Sequence, residues 1–197
     1  MSQANALRPR PEVTDFLSTR RSRPARSLTA PAPDRDALTT MLTLAVRVPD
    51  HKKLEPWRFV VAEGAALSRL ADAAQARMTS LGASEKDTGK AASLFRDAPV
   101  VVCIVASPVA DAPIPEVEQT LSAGAVCLGL LNAAAAGGFG ANWLSGTLAL
   151  DRPFLEDVLG LSEREWVAGF VVLGTETAVP PDRPRPDVAA LTTWIDA

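Results

Sequence analysis

The chain has 197 residues and a mass of 20.8 kDa, the size of one domain, and 47% of its residues are apolar, enough for a core without disulfides or metal. Twenty Lys and Arg against 23 Asp and Glu leave a net charge of −3, which excludes the dominant positive field of a general nucleic-acid or anionic-membrane binder. A single histidine and two isolated cysteines exclude a Cys/His zinc centre, and no GxSxG elbow presents a serine to His51.

Residues 1–11 read as a disordered N-terminal arm without the apolar stretch of a signal peptide. A short helix is predicted over 12–19, followed by an arginine cluster and a proline-punctuated loop. Asp34 is a candidate N-cap for a helix reaching about Val48, with Leu38, Met41, Leu42 and Ala45 at helical spacing. Residues 57–62 read as a strand and 65–81 as a helix. A polar, mobile stretch is expected over 82–90, with another short helix after it. Residues 98–106 form the clearest buried strand, and Cys103 within it reads as a structural thiol, as does Cys127. Two such thiols fit a reducing cytoplasm, and a cytoplasmic protein is expected.

Three prolines make 107–115 a loop, expected to be flexible. The longest helix spans 116–136 and closes on Gly137-Gly138 as a C-cap. Its Ser122, Ala125, Gly129, Ala133 and Ala136 line one face with small residues, as a tight helix contact requires; spacing alone leaves open whether that contact is within the chain or between subunits. Strands are predicted over 140–145 and 167–174, with a short helix near 153–159 between them. The tail from 175 carries Pro180, Pro181, Pro184 and Pro186 and ends in an apolar patch at Leu191, Trp194 and Ile195.

Three segments could carry chemistry. Arg20-Arg21-Ser22-Arg23, with Arg26 close behind, offers guanidinium forks and a hydroxyl matched to phosphate oxygens. Pro49-Asp50-His51-Lys52-Lys53-Leu54-Glu55-Pro56-Trp57-Arg58-Phe59 holds the single histidine between prolines at the entry to a strand. Gly137-Gly138-Phe139-Gly140-Ala141-Asn142-Trp143-Leu144-Ser145-Gly146 is glycine-rich, yet it follows a helix rather than a strand and puts Trp143 where a dinucleotide fingerprint needs its third glycine. Its backbone could still approach a flat ligand closely.

Together these segments resemble the flavin-dependent nitroreductases, and most closely a compact subgroup of NAD(P)H nitroreductases. The resemblance rests on Arg20-Arg21-Ser22, on Arg47-Val48-Pro49-Asp50-His51-Lys52 leading to Glu55-Pro56-Trp57-Arg58-Phe59, on Gly138-Phe139-Gly140 leading to Trp143-Leu144-Ser145-Gly146, and on Val167 to Thr175. It runs from about residue 12 to 195 in the expected order.

The resemblance implies an α+β fold, a central, mainly antiparallel sheet flanked by helices, with 12–197 as one FMN-binding domain. It also implies a homodimer holding FMN at the subunit interface, which makes the small-residue stripe a candidate central contact. Arg20, Arg21 and Ser22 match the segment that holds the FMN phosphate and ribityl chain, and Arg47 and His51 a segment that reaches over the flavin from the partner subunit. Trp143, Leu144 and Ser145 match the stretch along the ring edge, with a backbone N–H of Ser145 or Gly146 pointing at N5. Ala133, Ala134, Ala135, Ala136, Gly137 and Gly138 correspond to a stretch assigned to the nicotinamide nucleotide, although a helix C-terminus repels phosphate.

Two departures stand out: Asp50-His51 makes the pocket more charged than in many relatives, and Leu144 replaces an arginine common in the subgroup. The tail pair Arg183 and Arg185 could supply a lost phosphate contact. The activity implied is hydride transfer from NAD(P)H through flavin N5 to nitroaromatic or quinone-type acceptors in a ping-pong cycle. No catalytic side chain and no metal are needed. The alternatives are a non-catalytic flavin carrier or sensor, or another flavin reaction on the same fold, such as reductive dehalogenation or flavin cleavage.

Overall fold

The computed structural model describes residues 7–195. Part of the predicted arm, residues 1–6, lies outside them; residues 7–10 are irregular, and the first helix begins one residue early, at Pro11. Five helices are named here, α1 (Pro11–Thr19), α2 (Arg35–Ala45), α3 (Ala65–Ser80), α4 (Glu85–Arg96) and α5 (Glu116–Ala136). The strands are β1 (Leu28–Thr29), β2 (Trp57–Glu63), β3 (Val100–Ala106), β4 (Gly140–Leu144) and β5 (Trp166–Glu176).

All strand pairings are antiparallel, in the order β1-β5-β3-β2, and β4 shares with β1 the outer edge of β5. The fold is the expected α+β type. β3 is central and buried along its whole length, which accounts for its unbroken apolar run. Its residues alternate between two cores. Val101, Cys103 and Val105 pack on one face with α3 and α4 residues, while Val100, Val102 and Ile104 meet α2 and α5 on the other.

A bulge interrupts the β3–β5 ladder between Ile104 and Val105, leaving Ala168 without a partner. The extra residue reverses the parity of β5, so Val167 and Phe170 end on the same face.

α5 is long and apolar enough to cross a bilayer by length and composition. Here it is a core helix: Val126, Cys127, Leu130 and Ala134 are fully buried against the sheet and α2. A Cβ on Gly129 would lie 2.6 Å from the Ala45 carbonyl oxygen, so the small-residue face makes its tight contact with α2, inside the chain. The stripe is therefore not available there as a central dimer contact. The large apolar side chains that α5 leaves exposed are Val117, Leu121 and Leu128.

Two expectations change. The stretch read as mobile over 82–90 is mostly helix: the Ser84 hydroxyl caps α4 by accepting the Asp87 N–H and donates in turn to the Asp87 carboxylate. The loop at 107–115 is tied down, because the buried Gln119 amide accepts from the Val109 N–H and donates to the Val109 carbonyl. Other boundaries shift by one to three residues. α2 stops at Ala45 instead of 48, and the helix near 153–159 is one wide π-type turn, Phe154–Val158.

Candidate functional site

A cavity of about 650 Å³ opens between three walls. One is the turn Pro24–Arg26, the second is the inner face of α4, and the third is the end of β4 with the loop beyond it, from Asn142 to Leu148. Phe170 and Val172 of β5 also line it.

Backbone and amide contacts hold the first wall against the third. The Arg23 N–H donates to the Ala141 carbonyl at 2.9 Å, and the Asn142 amide donates to the Arg23 carbonyl at 2.7 Å. Gly140 lies beside them, and a Cβ there would press on a methyl of the buried Leu28. Phe95 anchors α4: it is fully buried and meets Phe170 edge-on at 5.5 Å between ring centroids. Its neighbours Ala91 and Leu94 then face the cavity, with Asp87 and Lys90 on the same side.

Strand alternation sorts the predicted ring-edge residues. Leu144 and Ser145 line the cavity, and Gly146 and Thr147 continue the wall. Trp143 faces the other way. Its indole N–H donates to the carbonyl of the bulged Ala168 at 3.0 Å, and its ring occupies the space where Gly169 lacks a side chain. No acceptor among the described residues takes the Ser145 or Gly146 N–H, so two backbone donors remain beside the cavity.

The arginine cluster divides as well. Arg20 ends α1, its N–H bonded to the Phe16 carbonyl, and Ser22 is exposed. Arg21 donates to the Pro181 carbonyl and lies 3.8 Å from Asp182. Arg23 lies 3.1 Å from Glu176. None of the four lines the cavity; Arg26 does. In the tail, Arg185 reaches Asp182 and the Ser18 carbonyl, which puts it and Arg183 near the end of α1.

Arg47 and His51 are exposed and stand away from the cavity walls of their own chain. Their loop is anchored from several sides. His51 Nδ1 is 2.7 Å from Glu118, the Asp50 carboxylate accepts from the Leu54 and Glu55 N–H groups, and the Ser122 hydroxyl donates to the Pro49 carbonyl while accepting from Trp57 Nε1. Lys52, Lys53 and Glu55 hold positive φ of 66°, 55° and 48°, costly for residues with side chains.

The stretch 133–138 is the carbonyl end of α5. The N–H groups of Gly137, Gly138 and Phe139 turn back onto the carbonyls of residues 133–135, with Gly138 in the left-handed conformation (φ 80°), so they offer a nucleotide phosphate no donor.

A bidentate ion pair lies elsewhere. Arg58 grips Glu165 with two bonds of 2.6 and 2.8 Å, and that grip holds the Glu165 carboxyl down to about 2 against the opposing effect of burial. Burial pushes the Cys103 and Cys127 thiols up to about 12, which leaves both as unreactive packing groups.

Sequence reasoning named Arg26 but not the turn that presents it, and predicted a short helix after residue 90 without assigning it to the site. The signal for the second was present in the Ser84-x-x-Asp87 spacing and in the helical recurrence of Ala91, Leu94 and Phe95.

The Nitroreductase family profile matches residues 17–175. An Escherichia coli (strain K12) protein named "Putative NAD(P)H nitroreductase YdjA" is 34% identical over 164 residues, 83% of this chain and 88% of that protein. The crystal structure of a nitroreductase-like family protein from Bacillus cereus superposes with a TM-score of 0.77, at 21% identity and full coverage of both chains. A Bacteroides fragilis nitroreductase crystallised with bound FMN gives 0.72 at 20% identity, covering 94% of this chain and 99% of the other. With most of its length matched by the family profile and by a relative of this similarity, the chain belongs to the nitroreductase family.

Proposed function

We propose that residues 12–197 act as one FMN-binding domain of an NAD(P)H-dependent oxidoreductase. The observation that carries the reading is the cavity wall at Leu144–Gly146, where an apolar surface meets two backbone N–H groups without acceptors. A flat heteroaromatic ring with acceptors along one edge suits that combination. The cavity volume and the unpaired cations on its walls also fit a flavin nucleotide. The relatives' names point the same way, since one similar structure holds FMN and the E. coli relative is named for NAD(P)H.

When bound, FMN supplies hydride acceptance and donation at N5, in a ping-pong cycle between NAD(P)H and a nitroaromatic or quinone-type acceptor. The residues of this chain bind and orient. Ser145 and Gly146 N–H groups fix the ring edge, and Leu144, Leu148 and Phe170 exclude water from one face. The family resemblance assigns the phosphate to Arg20 and Ser22, which follow α1 and stand outside the walls of this cavity. Arg20→Ala is expected to lower FMN affinity by about one to two decades, the worth of one charge-assisted contact.

A homodimer completes the proposal. α1 buries no residue, and Val13 and Leu17 on it are exposed together with Val117, Leu121 and Leu128 of α5. Leu191, Trp194 and Ile195 in the tail are 75–94% exposed. A second copy would cover such surface and bring the Arg47–His51 loop to its neighbour's flavin.

The test is direct. Purified protein given FMN should take it up, migrate as a dimer, and oxidise NAD(P)H steadily with nitrofurazone or menadione. Flavin uptake without turnover would favour the carrier reading, and no uptake would end both.

A further inference from the structure

β4 ends one residue after Trp143. Its ladder with β5 pairs Trp143 with Val171 and Leu144 with Phe170, and stops there. Which residues of the sheet exchange ladder bonds is fixed by the Ser107 N–H, which donates to the carbonyl of Pro56 directly opposite it. Carried across the β2–β3, β3–β5 and β4–β5 registers, that parity makes Leu144 and Phe170 an exchanging pair. Two residues further, the same register would set Gly146 against Ala168, with the Gly146 N–H aimed at the Ala168 carbonyl.

That carbonyl is already taken. Trp143 Nε1 donates to it at 3.0 Å, at the bulge that leaves Ala168 without a partner on β3. The indole sits in a slot that two glycines leave open. A Cβ on Gly169 would collide with the ring, and one on Gly124 of α5 would stand 3.9 Å from its far edge. The Gly146 carbonyl is turned away too: it accepts the Ala149 N–H at 3.0 Å, and the residue holds φ 149° and ψ −172°, a conformation open to glycine. Neither ladder group of Gly146 is spent on Ala168, and Ser145 and Gly146 stay on the cavity wall.

We propose that Trp143 is a positioning residue: by occupying the Ala168 carbonyl, its indole ends the β4–β5 ladder at Leu144 and reserves the Gly146 N–H for the ligand in the cavity. It acts through the backbone, since its ring lies on the face of β4 away from the cavity. This rests on the FMN reading above, with flavin N5 as the acceptor. A donor that could close on its own sheet would have to break that bond before meeting a ligand; a side chain that takes the acceptor removes the competition.

The experiment compares wild type with Trp143→Phe, which keeps a ring in the slot but loses the donor, and with Gly169→Ala, which displaces the indole but leaves its N–H intact. Amide hydrogen exchange of the flavin-free protein, resolved at Ser145 and Gly146 by NMR, reads whether the ladder has closed. Dissociation constants for FMN and for 5-deaza-FMN, whose C5–H offers no acceptor at the position of N5, read whether the donor still meets the ring. Trp143 is 40% exposed, so Trp143→Phe should fold, and thermal melting verifies it.

In wild type the Gly146 amide should exchange freely, and FMN should bind about fivefold more tightly than 5-deaza-FMN, the worth of one hydrogen bond. In both variants that amide becomes protected and the preference for FMN falls towards unity. Equal weakening of both flavins, with the preference kept, would make the indole a packing group and overturn the inference. A Gly146 amide already protected in flavin-free wild type would overturn it as well, a result that needs no variant to fold. A wild-type protein that takes up neither flavin overturns the FMN reading, and the exchange pattern alone then upholds or overturns the role of Trp143 in ending the ladder.

Discussion

Two basic segments of this chain look alike in sequence and behave differently in the fold. Residues 20–26 and residues 47–53 each concentrate cations near a proline. The first is zipped to β4 by the Arg23–Ala141 and Asn142–Arg23 bonds and delivers Arg26 to the cavity. The second is pinned to α5 through Pro49, Trp57 and His51, at the corner where α2 crosses α5, and its cations face outward. Charge runs therefore do not identify a site by themselves. What decides is which backbone the run is tied to and whether its side chains already have partners.

The comparison can be broken at its structural corner first. Gly129→Val drives a Cβ into the Ala45 carbonyl and should cost about 3 kcal/mol or more, because backbone must move to accept it. Thermal or denaturant melting reads this, and a variant within 1 kcal/mol of wild type (a roughly fivefold change in the unfolding constant) would show that α2 and α5 are not in close contact.

Glu165→Gln should cost about 2–3 kcal/mol by leaving the Arg58 guanidinium without its bidentate partner. The same pair sets a pH dependence. The Glu165 carboxyl titrates near 2 in the folded chain and near 4.5 when unfolded. Its contribution is thus fully present above about pH 5 and fades as pH falls from 4.5 towards 2. Melting curves across that window should show a steeper acid loss in wild type than in Glu165→Gln; parallel curves would contradict the assignment.

Ser122→Ala removes the acceptor for Trp57 and the donor to Pro49, an expected loss of about 1–2 kcal/mol. His51→Ala breaks an exposed pair with Glu118 and should change stability by less than about 1 kcal/mol. A larger loss on His51→Ala than on Ser122→Ala would mean that the charged contact, rather than the Trp57–Ser122–Pro49 chain, holds the second segment in place.

Much of the fold was legible from local pattern. β3 announced itself as seven consecutive apolar residues, Asp34 as a cap, and α5 as a long apolar helix with a glycine stop. The site was only half legible. Leu144 and Ser145 line the cavity, but Trp143 does not, because side chains alternate across a strand and its ring fills the space over Gly169 on the opposite face. The α4 wall was hidden because Glu85–Lys90 is too polar to show an apolar periodicity until Thr88, Ala92 and Phe95 are known to be its buried face. The role of the small-residue stripe depended on a crossing with α2 that no local pattern encodes.

The most direct measurement is the absorption spectrum of the purified protein after incubation with FMN and removal of excess ligand. Flavin bands near full occupancy, on a particle of twice the chain mass, are the result expected from a cavity that offers free backbone donors and unpaired cations. A colourless protein at the mass of one chain would contradict it.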